Sequence, residues 1–307
     1  MSDIILHHYP PSPVSEKVRV ALGIKGLAWR SVEIPRVPPK PLLMPLTGGY
    51  RRTPVMQVGA DIYCDSHVIL RELQRRQPVP ALEPQGIDGG LGWMVNRWAD
   101  LAFETAVRLS LGANAAQLPE AFARDRARLF LGPDGSLDAL EGTIGHHAAQ
   151  LRAQFAWIDG QLRAGTPFLQ GPSPGVADAA CYHLIWFLRG RWSGGPTLLA
   201  GFPALEAWEA RVRDIGHGSP SPMTPEEALA VARGAEPLTP ESADPADPQG
   251  LVPGRMVRVV PDTDSGETAV QGVIRLLDHE RIALWRDDPE AGRVCVHFPR
   301  AGYRVEI

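Results

Sequence analysis

Cysteine is scarce in this chain: three thiols, Cys64, Cys181 and Cys295, in 307 residues. Far apart and odd in number, they form neither a disulfide framework nor the paired spacing of a zinc site, so a reducing compartment is expected. Long apolar runs are missing, which excludes a membrane-spanning helix. The polar start Met1-Ser2-Asp3 is not that of a secretory signal, and a cytoplasmic location is the expectation. An excess of one charge is missing too. With 31 basic against 35 acidic residues, interspersed, nothing suggests a nucleic-acid surface. What the chain does have is proline and glycine, 30 and 31 of them, which cut it into short elements joined by long connections. Its length and its 44% apolar residues are enough for two or three folded domains.

Residues 1–82 alternate strand and helix. Ile4 to Tyr9 is a short buried strand stopped by Pro10-Pro11, and Ser12-Pro13 starts a helix with a hydroxyl cap and a proline in the first turn. Trp29–Ile34 reads as a strand, and a proline-rich excursion follows from Pro35 to Pro45. Strands at Val55–Val58 and Asp61–Tyr63 are joined by the tight turn Gly59-Ala60, and Ser66–Arg75 is a helix. That order, βαβ, loop, ββα, is thioredoxin-like. Residues 86–235 repeat apolar positions at helical spacing, with Trp93, Arg97, Trp98 and Leu101 as one example. Residues 236–250, rich in proline, alanine and aspartate, read as a linker. In 251–307, alternation at Met256–Val260, Val270–Leu276, Arg281–Trp285 and Val294–Phe298 predicts four or five strands, separated by turns such as Asp264-Ser265-Gly266. So small a β-rich piece is expected to close as a barrel and to pack on the helical domain. The fold class is multi-domain: α/β, all-α and small β.

The most informative stretch is Tyr50-Arg51-Arg52-Thr53-Pro54-Val55, followed by Asp65-Ser66. A strand opened by proline leaves preceding backbone groups to meet a ligand. An acid and a hydroxyl before a helix suit a small zwitterion.

Together with His8-Tyr9-Pro10-Pro11-Ser12-Pro13 and Gly175-Val176-Ala177-Asp178-Ala179-Ala180, these segments resemble the glutathione S-transferase superfamily over roughly residues 4 to 235. The tail ending Val296-His297-Phe298-Pro299-Arg300-Ala301-Gly302-Tyr303 is similar to a poorly characterised bacterial and fungal subgroup carrying an extra carboxyl-terminal β module. The resemblance implies glutathione as co-substrate, a homodimer, a cis Thr53-Pro54 bond and main-chain pairing of Val55 with the cysteinyl part of glutathione. Asp65 would take the γ-glutamyl ammonium, and Ser66 with nearby N–H groups its carboxylate; both residues are also ordinary helix caps. Arg52, or Arg51, would reach the glycine carboxylate, and a solvated arginine explains either equally well. Ser12 is the candidate for holding a thiolate at a helix amino end, or is only a cap, with Tyr9 and Ser15 as rival hydroxyls. Position 12 carries no cysteine, so glutaredoxin-like chemistry is not expected.

Tyr9, Trp93 and Arg97 would meet an apolar electrophile. Tryptophans at helical spacing are also ordinary core residues. The adjacent pairs His7-His8 and His146-His147 splay apart and make no metal site, Cys64 reads as a buried structural thiol, and Asp178 as a helix cap reaching back to Gly175. The expected activity is addition of a glutathione thiolate to a small electrophile. A non-catalytic scaffold on the same fold, or a glutathione-dependent isomerase or peroxidase, stand as alternatives.

Overall fold

The computed structural model describes residues 3–83, 90–263 and 265–307. The expected start of the helical domain at residue 86, Asp264 of the expected turn, and Met1-Ser2 lie outside the described residues. In chain order, β1 (Ile5–His8), α1 (Pro13–Ile24), β2 (Ala28–Glu33), α2 (Met44–Thr47), β3 (Val55–Val58), β4 (Asp61–Cys64) and α3 (Ser66–Arg76) come first. Six helices follow: α4 (Gly90–Asn114), α5 (Glu120–Leu131), α6 (Ile144–Leu162), α7 (Val176–Arg191), α8 (Gly195–Leu199) and α9 (Pro203–Ile215). Then come β5 (Ser219–Pro222), α10 (Pro225–Arg233), β6 (Met256–Pro261), β7 (Val270–Leu277), β8 (Arg281–Asp288), β9 (Gly292–Pro299) and β10 (Tyr303–Glu306). None of the described helices is long and apolar enough to cross a membrane.

The chain divides into two compact units: Met1–Ser15 with Ala28–Glu72 and Ser219–Ile307, and Glu16–Leu27 with Leu73–Gly218. The first holds every strand among the described residues. Their order is β10-β6-β7-β8-β9-β4-β3-β1-β2-β5 in one sheet. β1 runs parallel to β2 and antiparallel to β3, which is antiparallel to β4; Gly59, at φ +61°, makes the β3–β4 turn as expected.

The carboxyl-terminal strands are present but do not close on themselves. β9 instead pairs in parallel with β4, setting Asp61 opposite Cys295, Ile62 opposite Val296 and Tyr63 opposite His297. The physical reason is the bare edge of β4, whose unpaired N–H and C=O groups the tail satisfies. One apolar core spans both pieces, with Ile5, Val55 and Ile62 in a single cluster with Val257, Ile274, Leu284, Val296 and Phe298. The expected packing of the module on the helical domain is therefore corrected: it belongs to the sheet.

Two further corrections concern the segments on either side. Ser219–Pro222, within the stretch read as helical, is strand β5, parallel to β2 on the sheet's edge, where proline's missing donor does no harm. The 236–250 segment is not a free linker. Leu238 N–H donates to Asp61 Oδ2 at 2.9 Å, and Thr239 Oγ1–H donates to Asp61 Oδ1 at 2.5 Å. Ser242 then bridges to β7, donating its N–H to Arg275 O and accepting from Leu277 N–H.

Helix α10 is held by a polar contact under the sheet. Gln57 Nε2 donates to Ala228 O and Gly59 O, so Gln57 Oε1 is the acceptor for His7 Nε2–H at 2.9 Å. Burial drives the His7 pKa down to about 4, keeping the ring neutral.

In the second unit, α4 and α7 meet through Ala99, Ala102, Ala180 and Leu184. Lys17 is wholly buried, its Nζ donating to Asp100 at 2.6 Å and to Asn96 Oδ1 at 3.3 Å. Asp178 caps α7 as expected: Oδ2 accepts from Gly175 N–H at 2.9 Å, while Oδ1 accepts from Leu169 N–H and Trp208 Nε1–H.

Candidate functional site

Sheet topology gathers most of the expected residues at one end. His7 on β1, Val55 on β3 and Cys64 on β4 are in register across three neighbouring strands. The chain leaves β1 and β4 and enters β3 at that end, so Tyr9 and Ser12, Thr53 and Pro54, and Asp65 and Ser66 all lie there.

Ser12 sits at the amino end of α1. Its Oγ accepts from Ser15 N–H at 3.2 Å and from Ser15 Oγ–H at 2.8 Å, and both serines are buried. The helix amino end adds partial positive charge in the same place. Tyr9 is half-buried, with the Arg36 guanidinium 5.9 Å from its ring centre.

The Thr53–Pro54 peptide is cis, and Pro54 and Val55 are buried. Lys40, to which the sequence reading gave no role, braces this segment: its buried Nζ donates to Arg51 O at 2.9 Å and to Thr53 Oγ1 at 2.8 Å.

Asp65 has φ +93°, the one positive value among described non-glycine residues. Such a backbone is strained for an aspartate and marks a position held by its surroundings. Its Oδ1 caps α3, accepting from His67 N–H at 2.8 Å, and Ser66 is buried as the first residue of that helix. Its Oδ2 accepts from Tyr303 Oη–H at 3.0 Å, with Tyr50 Oη 3.4 Å from the same hydroxyl. Burial, helped by the Asp65 charge, pushes both tyrosines well above their ordinary pKa, so they act only as neutral phenols. Cys64, the expected structural thiol, is buried and likewise pushed up.

Arg52 does not stand in solvent. Its Nε lies 3.0 and 2.8 Å from the two carboxylate oxygens of Glu267, its Nη2 also meets Glu267, and it donates to Thr263 Oγ1 at 3.1 Å. Ser265 Oγ–H braces the same carboxylate at 2.7 Å. Burial opposes both charges; the fork of hydrogen bonds outweighs it, raising the Arg52 pKa and lowering that of Glu267.

The other candidates each belong to one unit or the other. Trp93 and Arg97 belong to the second unit, one turn apart on α4: Trp93 is buried with its indole N–H on Glu83, and Arg97 is exposed. His7 and His8 face apart, to Gln57 and to Ser31 Oγ at 2.8 Å. The sequence reading missed Lys40, Glu267, Tyr303 and the set Asp61, Cys295 and His297. Donor atoms of the last three lie within 4.8 Å of one another, all buried. The Thr239 hydroxyl lies among them, 3.0 Å from His297 Nε2. Burial keeps that imidazole neutral, while the Thr239 and Leu238 donors and His297 hold the Asp61 carboxyl low against burial. The arrangement fastens the 236–250 segment to β4. Nothing short-range links these positions; a signal existed only in the unusual polarity of Asp61 and His297 inside apolar strands.

Comparison with known proteins bears on this geometry. The profile of a glutathione S-transferase N-terminal domain matches residues 6–84, and that of a glutathione S-transferase C-terminal domain matches residues 115–211. Among solved structures, a GST-like protein from Pseudomonas syringae is 35% identical, covering 100% of this chain and 99% of its own, with a TM-score of 0.79. A Tau class glutathione S-transferase from mango, Mangifera indica, is 20% identical over 70% of this chain and 92% of its own, TM-score 0.51. Poplar glutathione transferase F1 is 13% identical over 76% of this chain and 100% of its own, TM-score 0.53. The last two likenesses are of fold alone. No curated protein matches the chain.

Proposed function

The chain belongs to the glutathione S-transferase family, and on that premise we propose that it binds glutathione at the β1–β3–β4 end of the sheet and transfers its thiolate to a small, mainly apolar electrophile. The observation that carries this reading is Ser12: a buried hydroxyl at the amino end of α1, where the helix end adds partial positive charge that favours a sulfur anion. Lowering a thiol pKa from about 8.5 to about 6.5 stabilises the thiolate by about 2.7 kcal/mol and raises its share at pH 7 from about 3% to about 75%. The main chain at Val55 would pair with the cysteinyl residue. Asp65 would take the γ-glutamyl ammonium, its carboxylate oxygens each keeping a lone pair beyond the His67 and Tyr303 bonds. Ser66 and the first N–H groups of α3 would take the γ-glutamyl carboxylate. Attack at an electrophilic carbon forms the C–S bond as the leaving group departs with its electron pair. Tyr9 is the co-substrate contact this unit offers. The family is generally dimeric, and a homodimer in the cytoplasm completes the proposal.

A second reading has its own support. Because Glu267 and Tyr303 already engage Arg52 and Asp65, the fold can serve as a non-catalytic interaction protein whose ligand end is occupied by its own tail. Calorimetric titration with glutathione, followed by an aryl halide conjugation assay, separates the two. The transferase reading expects saturable binding and thioether formation. Absence of binding at about 10 mM glutathione, a concentration above the weakest ordinary affinities, refutes it and leaves the scaffold.

A further inference from the structure

The carboxyl-terminal module bears directly on which thiol the site reads. On the glutathione reading above, a tripeptide paired with Val55 and holding its γ-glutamyl end at Asp65 and Ser66 would carry its third residue to the other side of Val55, that of Thr53. The cations there are Lys40, Arg51 and Arg52. Lys40 Nζ is buried and committed to Arg51 O and Thr53 Oγ1. Arg52 is forked onto Glu267, whose side chain is only 5% exposed against 30% for the arginine. Arg51 adds its charge to the same carboxylate. Glu267 is itself fixed by Ser265, and Ser265 by Thr263, which also accepts from Arg52. The loop between β6 and β7 thus carries a built acceptor for the arginine pair.

We propose, resting on the glutathione reading above, that Glu267 takes the place of a ligand carboxylate and makes this site a general γ-glutamyl-thiol site, one that does not read the glycine of glutathione. A glycine carboxylate arriving at Arg52 would exchange one carboxylate for another and leave Glu267 buried without its partner, a costly state. It would also meet the field of Glu267 itself. The dipeptide γ-glutamylcysteine has no glycine to place at Arg52; it gives up only the Cys–Gly amide, its own cysteinyl carboxylate standing there with oxygens that still accept from the main chain at Val55. Discrimination among thiols therefore falls on the γ-glutamyl and cysteinyl parts. The module acts as a specificity element by filling the third subsite with protein.

The test titrates glutathione and γ-glutamylcysteine into the full-length protein and into Glu267→Gln by calorimetry. The native protein is expected to bind the two thiols with dissociation constants within threefold of each other. Glu267→Gln, which removes the competing charge but keeps a hydrogen-bonding amide for Arg52 and Ser265, is expected to shift the preference toward glutathione by fivefold or more. Native binding of glutathione tenfold or more tighter than γ-glutamylcysteine, with the preference lost in Arg52→Ala, would overturn the inference while leaving the glutathione reading intact. An unchanged ratio in correctly folded Glu267→Gln would also overturn it. If neither thiol binds, both readings fall together.

Discussion

Replacing Asp61 by alanine tests whether the 236–250 segment is fastened as described. Asp61 is 2% exposed and accepts from Thr239 Oγ1 at 2.5 Å and Leu238 N at 2.9 Å, with His297 Nε2 at 3.3 Å. Hydrogen bonds to a charged acceptor contribute about 1.5–3 kcal/mol each, and each buried donor left unpaired costs about 1–3 kcal/mol. Removing the carboxylate also removes its own desolvation, which offsets part of that sum. The net loss expected is about 3–5 kcal/mol, the sum of the lost hydrogen bonds less that offset. The effect should be local before it is global, because Leu238 and Thr239 anchor the path from α10 to β6. Hydrogen exchange read by mass spectrometry should show amide protection lost across residues 238–242, and limited proteolysis should cut within 236–250. Urea unfolding supplies the magnitude. Thr239→Val should lose a smaller amount, and in the double variant the two losses should not add. A loss below about 1 kcal/mol for Asp61→Ala, with protection of 238–242 unchanged, would refute the reasoning and return the segment to a surface linker.

Two further outcomes are expected. Ser12→Ala should lower conjugation turnover at least tenfold at pH 6.5 and by much less at pH 9, where free thiolate is abundant, with glutathione affinity within threefold of native; unchanged turnover at pH 6.5 would move the role to Tyr9 or Ser15. His7 makes stability fall on the acid side: its folded pKa of about 4 lies below the ordinary 6.5, so the unfolded chain binds a proton that the native one refuses. Its contribution is complete above pH 6.5 and is lost as pH falls toward 4, amounting to about 2–3 kcal/mol by pH 4.5. Urea unfolding of His7→Gln at pH 7.5 and 4.5 should show a correspondingly smaller decline than native, and equal declines would refute the assignment.

The local grammar of the first half was legible in the residues themselves. Ser12-Pro13 spelled a helix start, Gly59-Ala60 a hairpin, Asp65-Ser66 a helix cap, and each stands where its side chains predict. Those signals are readable because cap, turn and period are settled within a few neighbouring residues. The strands of the tail were legible for the same reason, as alternation between apolar and polar positions. The candidate site was half legible. Its hydroxyl and its acid were visible, and Ser12 with Ser15 needed only one helical turn to be related.

Tertiary structure alone decided the rest. Ser219–Pro222 has no apolar alternation, and it is a strand only because β2 offers it an edge. The tail's strands carry no mark saying whether they close on one another or continue a sheet; the open edge of β4 chose the second. Arg52 with Glu267 and Asp65 with Tyr303 join residues more than two hundred positions apart. Charge pairing at that separation leaves no trace in spacing, since any carboxylate suits any arginine until a backbone brings the two together. The sequence determined which elements form and where a thiol ligand is expected. The fold determined that the carboxyl-terminal module continues the sheet from β4 and brings Glu267 to Arg52 and Tyr303 to Asp65.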